Sequence, residues 1–326
     1  MKRATLRQFK IFEAVARHCS FSRAAEELHL TQPAVSMQVQ ALEDLAGLPL
    51  TEQAGKKVRL TAAGEELARQ ARRVAEQLRE AGEALAALKG VEAGRLKIGV
   101  VSTAKYFAPS LLAEFRRRHP GVELQLTVNN RGTIVRNLAD NDIDLAIMGT
   151  PPNEFETVAK IFADHPLVFI AAPDHPLAGK RNIDPKRLAE DTLLFREPGS
   201  GTRSALERFL DEHQVPAGAR MELGSNETIK QAVMAGLGLS FISEHTIGLE
   251  RSVGRLAVLN ISDTPVKRQW RLVYRTDKRL MPAATAFVQF MDSEGSRLIE
   301  TQVGRQSPDT AARAPKAARS GGKKPG

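Results

Sequence analysis

Between residues 32 and 40 the chain carries glutamine, serine and methionine at a spacing that a helix would sort onto one side. At 100° per residue Pro33, Ser36, Met37 and Gln40 share a face, Gln32 and Gln38 flank it, and Val35, Val39, Leu42 and Ala46 share the opposite one. A small, uncharged, amide-rich face suits a DNA major groove: glutamine pairs bidentately with adenine, and methionine touches a thymine methyl. Lys56, Lys57 and Arg59 follow, cations that suit phosphate contact and set affinity and register more than sequence choice. Two further stretches suit a small anion: Ser102-Thr103-Ala104-Lys105, and Glu197-Pro198-Gly199-Ser200-Gly201-Thr202-Arg203. Glycine there allows close backbone approach, and Thr202 and Arg203 open a helix whose N–H groups face the ligand. The second stretch lacks the Lys-Ser/Thr ending of a phosphate-binding P-loop, which argues against a nucleotide hydrolase.

These residues need elements to hold them. FSRAAEELHLTQPAVSMQVQ, residues 21–40, fits two helices meeting at a tight corner. Ser22 is the predicted cap of the first, Glu26 and Glu27 lie near its positive end, and Ala24, Ala25 and Leu28 form its apolar side. The turn falls at His29-Leu30, and a second helix starts at Thr31 or Gln32 with Pro33 in its first turn, where its missing N–H costs nothing. Ser22 and Arg23 join the candidate DNA contacts. Residues 48–61 read as a short hairpin with Gly55-Lys56-Lys57 at its tip, which would make the motif a winged helix-turn-helix. The alternative is an ordinary α-hairpin whose polar side is merely wet.

Capped by Thr61, a long helix is predicted to about Lys89, with Leu67, Ala71, Val74, Leu78, Ala81, Leu85 and Leu88 alternating four and three apart. Such a seam pairs with a second helix or packs on the chain's own body. Gly90 to Gly94 would act as a hinge. From Arg95 strands and helices alternate: RLKIGVV, a helix over residues 109–118, VELQLTV, a helix over 133–139, and IDLAIM. A second set runs LVFIAA, TLLF, a helix over 203–213, another over 228–235, and LSFIS, closing near Val258; a strand over 269–275 and a helix over 283–291 return to the first set. Two α/β lobes joined by two crossings place a ligand cleft between them. Four segments result: a head over 1–61, a linker helix over 62–90, a two-lobed domain over 91–300, and a tail over 301–326.

The net charge of +9 suggests nucleic acid until it is divided. Nine Lys or Arg stand against six Asp or Glu in residues 1–61, and six against one in residues 301–326, so the middle carries only +1. The tail lacks periodicity and bulky apolar groups; it reads as a disordered basic segment that adds nonspecific DNA attraction or solubility. Cys19, the single cysteine, excludes an intrachain disulfide, fits a reducing cytoplasm, and reads as a small apolar residue ending the first helix. No apolar run is long enough for a membrane span. The seven histidines, among them His165, His175 and His245, have no recognisable Ser or Cys partner, and no metal or paired-carboxylate pattern stands out, so neither an enzyme nor a resident cofactor is expected.

TQPAVS, LTAAGEEL, HPGVEL and PDHPLAG resemble LysR-type transcriptional regulators, from about Leu6 to Met291. Within that family the ATLRQFKIFEAVARHCSFSRAAEELHLTQPAVSMQVQALE opening and STAKYFAP are most similar to the CbbR branch, which activates RuBisCO and Calvin-cycle operons. The resemblance implies a winged head, a linker helix that pairs antiparallel in a homodimer or homotetramer, and a two-lobed effector domain like a periplasmic binding protein. It also implies effector positions at Ser102, Thr103, Arg131, Gly149, Thr202, Arg203 and Asn226. With Lys105, three cations would then converge on one cleft, pointing to a small anionic metabolite such as a Calvin-cycle intermediate. Most members carry arginine where this chain has Met37, and phenylalanine where it has Thr51, a change expected to loosen packing beneath the wing. A regulator of another operon, a solute receptor on the same two-lobed fold, and a two-lobed transferase are the competing readings; the last needs an acid or base in the cleft.

Overall fold

A computed structural model describes residues 3–54, 57–88, 94–216 and 218–305. Two compact units divide the chain near residue 94.

The first unit is helical. α1 (Leu6–His18) is closed by a capping box: Thr5 Oγ1 accepts from Gln8 N, and Gln8 Oε1 accepts from Thr5 N. α2 (Phe21–Leu28) is capped by Ser20, whose hydroxyl accepts from Arg23 N, rather than by Ser22, which is exposed one residue inside the helix. His29 then turns left-handed at φ 53°, and Leu30 N donates to Ala25 O. α3 (Gln32–Ala46) starts at its cap Thr31 with Pro33 in the first turn, and ends at Gly47. Cys19 ends α1, as expected, but it does so as an exposed cap in the left-handed region at φ 48°. Ile11, Phe12, Val15, Ala24, Ala25, Val35, Val39 and Leu42 form the core.

β1 (Thr51–Ala54) and β2 (Lys57–Leu60) pair antiparallel as the wing. Glu43 near the end of α3 accepts from Leu50 N at 2.7 Å, Thr51 N at 3.0 Å and Thr51 Oγ1 at 3.3 Å. Thr51 thus ties the wing to α3 by a hydroxyl bond that phenylalanine could not make. α4 (Ala62–Leu88) is capped by Thr61, which also donates to Pro49 O. Gly64 sits where a Cβ would fall 1.9 Å from Leu50 O, so backbone contact, not helix propensity, demands glycine.

The second unit is α/β. In chain order it comprises β3 (Gly94–Val101), α5 (Ala108–Arg118), β4 (Val122–Asn129), α6 (Arg131–Ala139), β5 (Leu145–Met148), β6 (Thr157–Ala171), β7 (Leu193–Arg196), α7 (Gly201–Glu212), β8 (Arg220–Leu223), α8 (Asn226–Met234), β9 (Leu239–Ser243), α9 (Gly248–Ser252), β10 (Ala257–Leu259), β11 (Val266–Arg275) and α10 (Pro282–Arg305). One nine-stranded sheet runs β4-β3-β5-β11-β6-β9-β7-β8, with β10 on β6. β3, β4 and β5 pair parallel, as do β7, β8 and β9; every residue of β5 and β9 is buried, as strands covered on both faces require.

The two crossings are β6 and β11, antiparallel from Val266 opposite Leu167 to Arg275 opposite Thr157, with a bulge between Trp270 and Arg271. One lobe has its core around Phe115, Trp270 and Phe287; the other has cores on both sheet faces, around Phe169 and Phe241 and around Ile229 and Ile242. Both crossing strands begin before the expected residues. β8, with three of its four residues exposed, had no apolar signature to find. α10 outruns its expected end at Met291, continuing through Ile299, which is buried in the first core. Gly94 is already strand, which shortens the expected hinge, and residues 301–305 of the expected tail are the last of α10; residues 89–93 and 306–326 lie outside the described residues.

Candidate functional site

The first unit presents the predicted reading face. On α3 Val35, Val39 and Leu42 are buried and Ala46 half-buried, while Gln32, Pro33, Met37 and Gln40 are exposed and Ser36 and Gln38 half-buried. Met37, 70% exposed, is the most open of the large apolar side chains among the described residues. Gln40 Nε2 donates to Asp44 Oδ1 at 3.2 Å. Ser22 and Arg23 are exposed at the start of α2, and Arg59 is exposed on β2; Lys56 and the Lys57 side chain lie outside the described residues. Behind the face, Arg17 pairs with Glu13 and Glu27, and His18 Nε2 meets Glu27 Oε2 at 2.6 Å, clamping α1 to α2. The Arg17 hydrogen bond, then that of His18, holds the Glu27 carboxyl down at about 2.

Along α4 the seam divides. Ala71 is buried and Leu67 and Val74 half-buried, whereas Ala81 is exposed, Leu78 is 53% exposed and Leu85 63%. The first part rests on α1 beside the buried Ala68, and Leu78 and Leu85 belong to none of the apolar clusters of the described residues. The Leu88 side chain lies outside the described residues.

In the second unit a cleft forms where parallel strands end, the place at which an open α/β sheet presents loops and helix starts to a ligand. Ser102 and Thr103 follow β3, Asn130 and Arg131 follow β4, and Gly149 and Thr150 follow β5. Across the gap stand Ser200, Gly201 and Thr202, where Ser200 Oγ accepts from Thr202 N at 3.3 Å and so opens α7. Gly132 N donates to Gly199 O at 3.2 Å, and Asn226 Nδ2 donates to Ser102 O at 3.2 Å, so the lobes touch on both sides of the gap. A chamber of about 30 Å³ remains inside, with room for about one water. An outer cavity of about 400 Å³ shares Arg131, Thr150, Gly201 and Arg268 with it and adds Arg208 and Lys267.

The cations are not those expected. Lys105 pairs with Glu227 at 3.7 Å and lies over the Tyr106 ring. Arg203 pairs with Glu207 at 2.8 Å and Glu222 at 2.6 Å; those hydrogen bonds, Glu207 first, raise its pKa. Both are neutralised locally, and neither lines the cleft, which corrects the predicted convergence of Lys105, Arg131 and Arg203. Asn226 lies behind the wall, where it accepts from Arg196, whose Nη2 donates to Ser102 Oγ at 3.0 Å; Glu197 balances that arginine.

Arg131 does line the cleft, donating to Thr150 O and Pro151 O. Its companion is Arg268 on β11, whose guanidinium donates to Gly201 O and Thr150 Oγ1 and so spans the lobes. Arg271 donates to Gly149 O, Gln269 O and Gln269 Oε1. All these acceptors are neutral oxygens. Burial first, then Arg208, Arg271 and Arg131, push the Arg268 guanidinium down to about 10. Among the described residues no carboxylate hydrogen-bonds Arg268, although Glu212 lines the outer cavity and Glu154 interacts with Arg131, so this half-buried cation has the chemistry to pair with an anion. His165 completes the floor: Gly149 is required there, because a Cβ would stand 2.9 Å from His165 Nδ1 and 3.3 Å from Arg268 Nη2. Sequence reasoning missed Arg268 because it lies one residue outside the strand predicted to start at Gln269.

Among the described residues no cluster of His, Cys, Asp or Glu could hold a metal, and no helix is long and apolar enough to cross a membrane. Residues 6–65 match the bacterial regulatory helix-turn-helix protein, lysR family, and residues 89–296 match the LysR substrate binding domain. The chain belongs to the LysR family of regulators. This LysR-type chain is 54% identical over 294 residues to the RuBisCO operon transcriptional regulator of Allochromatium vinosum, covering 90% of this chain and 97% of that one. Its second unit resembles the regulatory domain of Synechocystis PCC6803 CcmR solved in complex with 2-PG: 42% identity, TM-score 0.60, covering 61% of this chain and 96% of that one. Full-length CbnR solved with its target DNA is 25% identical with TM-score 0.66, covering 89% of this chain and 99% of that one. By name these relatives are regulators, and CbnR is solved on its DNA.

Proposed function

We propose that this LysR-type chain is a metabolite-responsive activator of a carbon-fixation (RuBisCO) operon, acting in the cytoplasm as a homodimer or homotetramer on a double-stranded DNA operator. The observation that carries the metabolite reading is the pair Arg131 and Arg268, which face an interlobe cleft with only neutral oxygens as partners. The identity to the A. vinosum regulator supports the operon, and the CcmR complex with 2-PG supports a small anion in the cleft. Arg131 has Glu154 as a charged neighbour, but a neutral sugar would leave Arg268 without a counter-charge, so the effector is a phosphorylated or carboxylated metabolite and no resident cofactor is needed. The ligand contacts are Ser102, Thr103, Arg131, Gly149, Thr202 and Arg268. Gln32, Pro33, Ser36, Met37, Gln38 and Gln40 read base edges, while Ser22, Arg23, Lys56, Lys57 and Arg59 hold phosphates.

Binding shifts an equilibrium between open and closed lobes, and with it two arrangements of the oligomer, altering DNA bend rather than simple occupancy. Titration calorimetry of the full chain against a panel of anionic metabolites tests the cleft; binding by none of them overturns the reading. A promoter for RuBisCO subunits bound with no more affinity than scrambled DNA would shift the assignment to another operon.

The exposed Leu78 and Leu85 support α4 as the dimer seam. Leu78→Asp would place an unpaired carboxylate in that interface, costing about 2 kcal/mol or more of association energy. Light scattering should then show a smaller species, and an unchanged oligomer would mean that the seam lies elsewhere.

A further inference from the structure

His165 is 3% exposed, and neither ring nitrogen has a hydrogen-bond partner. Its ring stacks on Trp270, with centroids 3.8 Å apart and planes 15° from parallel. The indole is itself fixed, because Trp270 Nε1 donates to His245 Nδ1 at 2.9 Å. The imidazole is therefore a rigid plate that lines the inner chamber with its hydrogen-bonding capacity unused, beside the Arg268 guanidinium. A buried polar group without a partner is costly, and a site retains one where a ligand completes it.

We propose that His165 is a ligand-contacting residue of the cleft: its ring donates a hydrogen bond to the bound anion, and the anion enters together with one proton that the imidazole takes up. This rests on the cleft being the anion site. The groups facing the ring are Arg268 and Trp270 from β11, His245 from the turn after β9, and Arg131 from α6 across the chamber. Asp164, its neighbour on β6, acts instead on His245. Without an anion, burial first, then Arg268 and His245, holds His165 neutral, its pKa well below the usual histidine value. An anion at Arg268 supplies the missing opposite charge and raises that pKa. Linkage sets the sign: the complex binds more protons than the free protein, so affinity climbs as pH falls through the bound-state pKa, and levels off below the free one.

Calorimetry on the full chain near neutral pH, in two buffers of different ionisation enthalpy, counts the proton, with 2-PG and inorganic sulfate as probes. Sulfate does not titrate there, so any proton taken up with it belongs to the protein. Wild type should take up a substantial fraction of one proton with either probe, its affinity rising by up to about tenfold per pH unit of acidification. His165→Gln should bind with no uptake on sulfate and a flat pH profile. Trp270, the chain's single tryptophan, reports independently of any variant: quenching by the stacked imidazolium should set in at higher pH with sulfate bound than without. If neither probe binds wild type, the anion reading of the cleft fails. If both bind without proton uptake, if His165→Gln takes up the same proton on sulfate, or if the fluorescence midpoint does not move, that reading stands and the role given to His165 is wrong.

Discussion

The reading face and the cleft are opposite solutions to recognition. On α3 the proposed contact residues are uncharged, exposed or half-buried, and spaced along one helix, with Val35, Val39 and Leu42 buried in the core. In the cleft they come from the ends of separate strands and from β11, are partly buried, and surround Arg268, whose nearest charged neighbours are also cations. An exposed face pays little to wait for DNA, because water satisfies its amides until bases replace it. The cleft arginines Arg131 and Arg268 instead hydrogen-bond only neutral oxygens, so on the proposed reading an anion supplies the bonded counter-charge. The first site therefore gives independent losses when residues are removed, and the second gives large, coupled ones.

The largest break in that contrast is Arg268→Ala. Removing a partly buried guanidinium that spans the lobes should cost about 2–5 kcal/mol of anion binding, and leave affinity for DNA in the absence of ligand unchanged. Calorimetry with 2-PG and fluorescence anisotropy on operator DNA measure the two arms; a parallel loss in both would mean that the two regions are not separable.

Smaller effects should come from the reading face. Gln40→Ala and Ser36→Ala should each relax sequence choice by about 1–3 kcal/mol, and in combination should add, as independent contacts do. Binding isotherms on operator and scrambled DNA decide this, since equal losses on both would make these residues phosphate contacts. The smallest change is expected from Arg59→Ala, which should weaken binding on every sequence and flatten the salt slope by about one unit.

That contrast also explains what could be read in advance. The head is a local object: helical periodicity placed Val35, Val39 and Leu42 inside and Met37 and Gln40 outside, and Thr61 capped α4 as its spacing indicated. The error at Ser22 was one of register, because Ser20 and Ser22 both precede the apolar stripe and only backbone geometry chooses between them. The α/β alternation was likewise legible, since β5 and β9 are short apolar runs bounded by polar turns.

The cleft was legible only in part. Ser102, Thr103, Arg131, Gly149 and Thr202 line it, but a loop cation's direction depends on which carboxylate stands nearby after folding. Glu207 and Glu222 draw Arg203 away, and Glu227 holds Lys105. Arg268 and His165 belong to the two long crossing strands, where no turn, glycine or motif marks them. The pairing of β6 with β11 is what brings them together, setting Arg268 opposite His165.

The central claim is that an anion in the cleft changes how the head holds its operator. Footprinting of the operator complex, titrated with 2-PG and other anionic metabolites for wild type and Arg268→Ala, tests it most directly. Wild type should show a shortened or redistributed footprint at constant occupancy, and Arg268→Ala should keep the footprint of the ligand-free complex throughout. A wild-type footprint indifferent to every anion, or an Arg268→Ala complex that responds at the same concentrations as wild type, would contradict it.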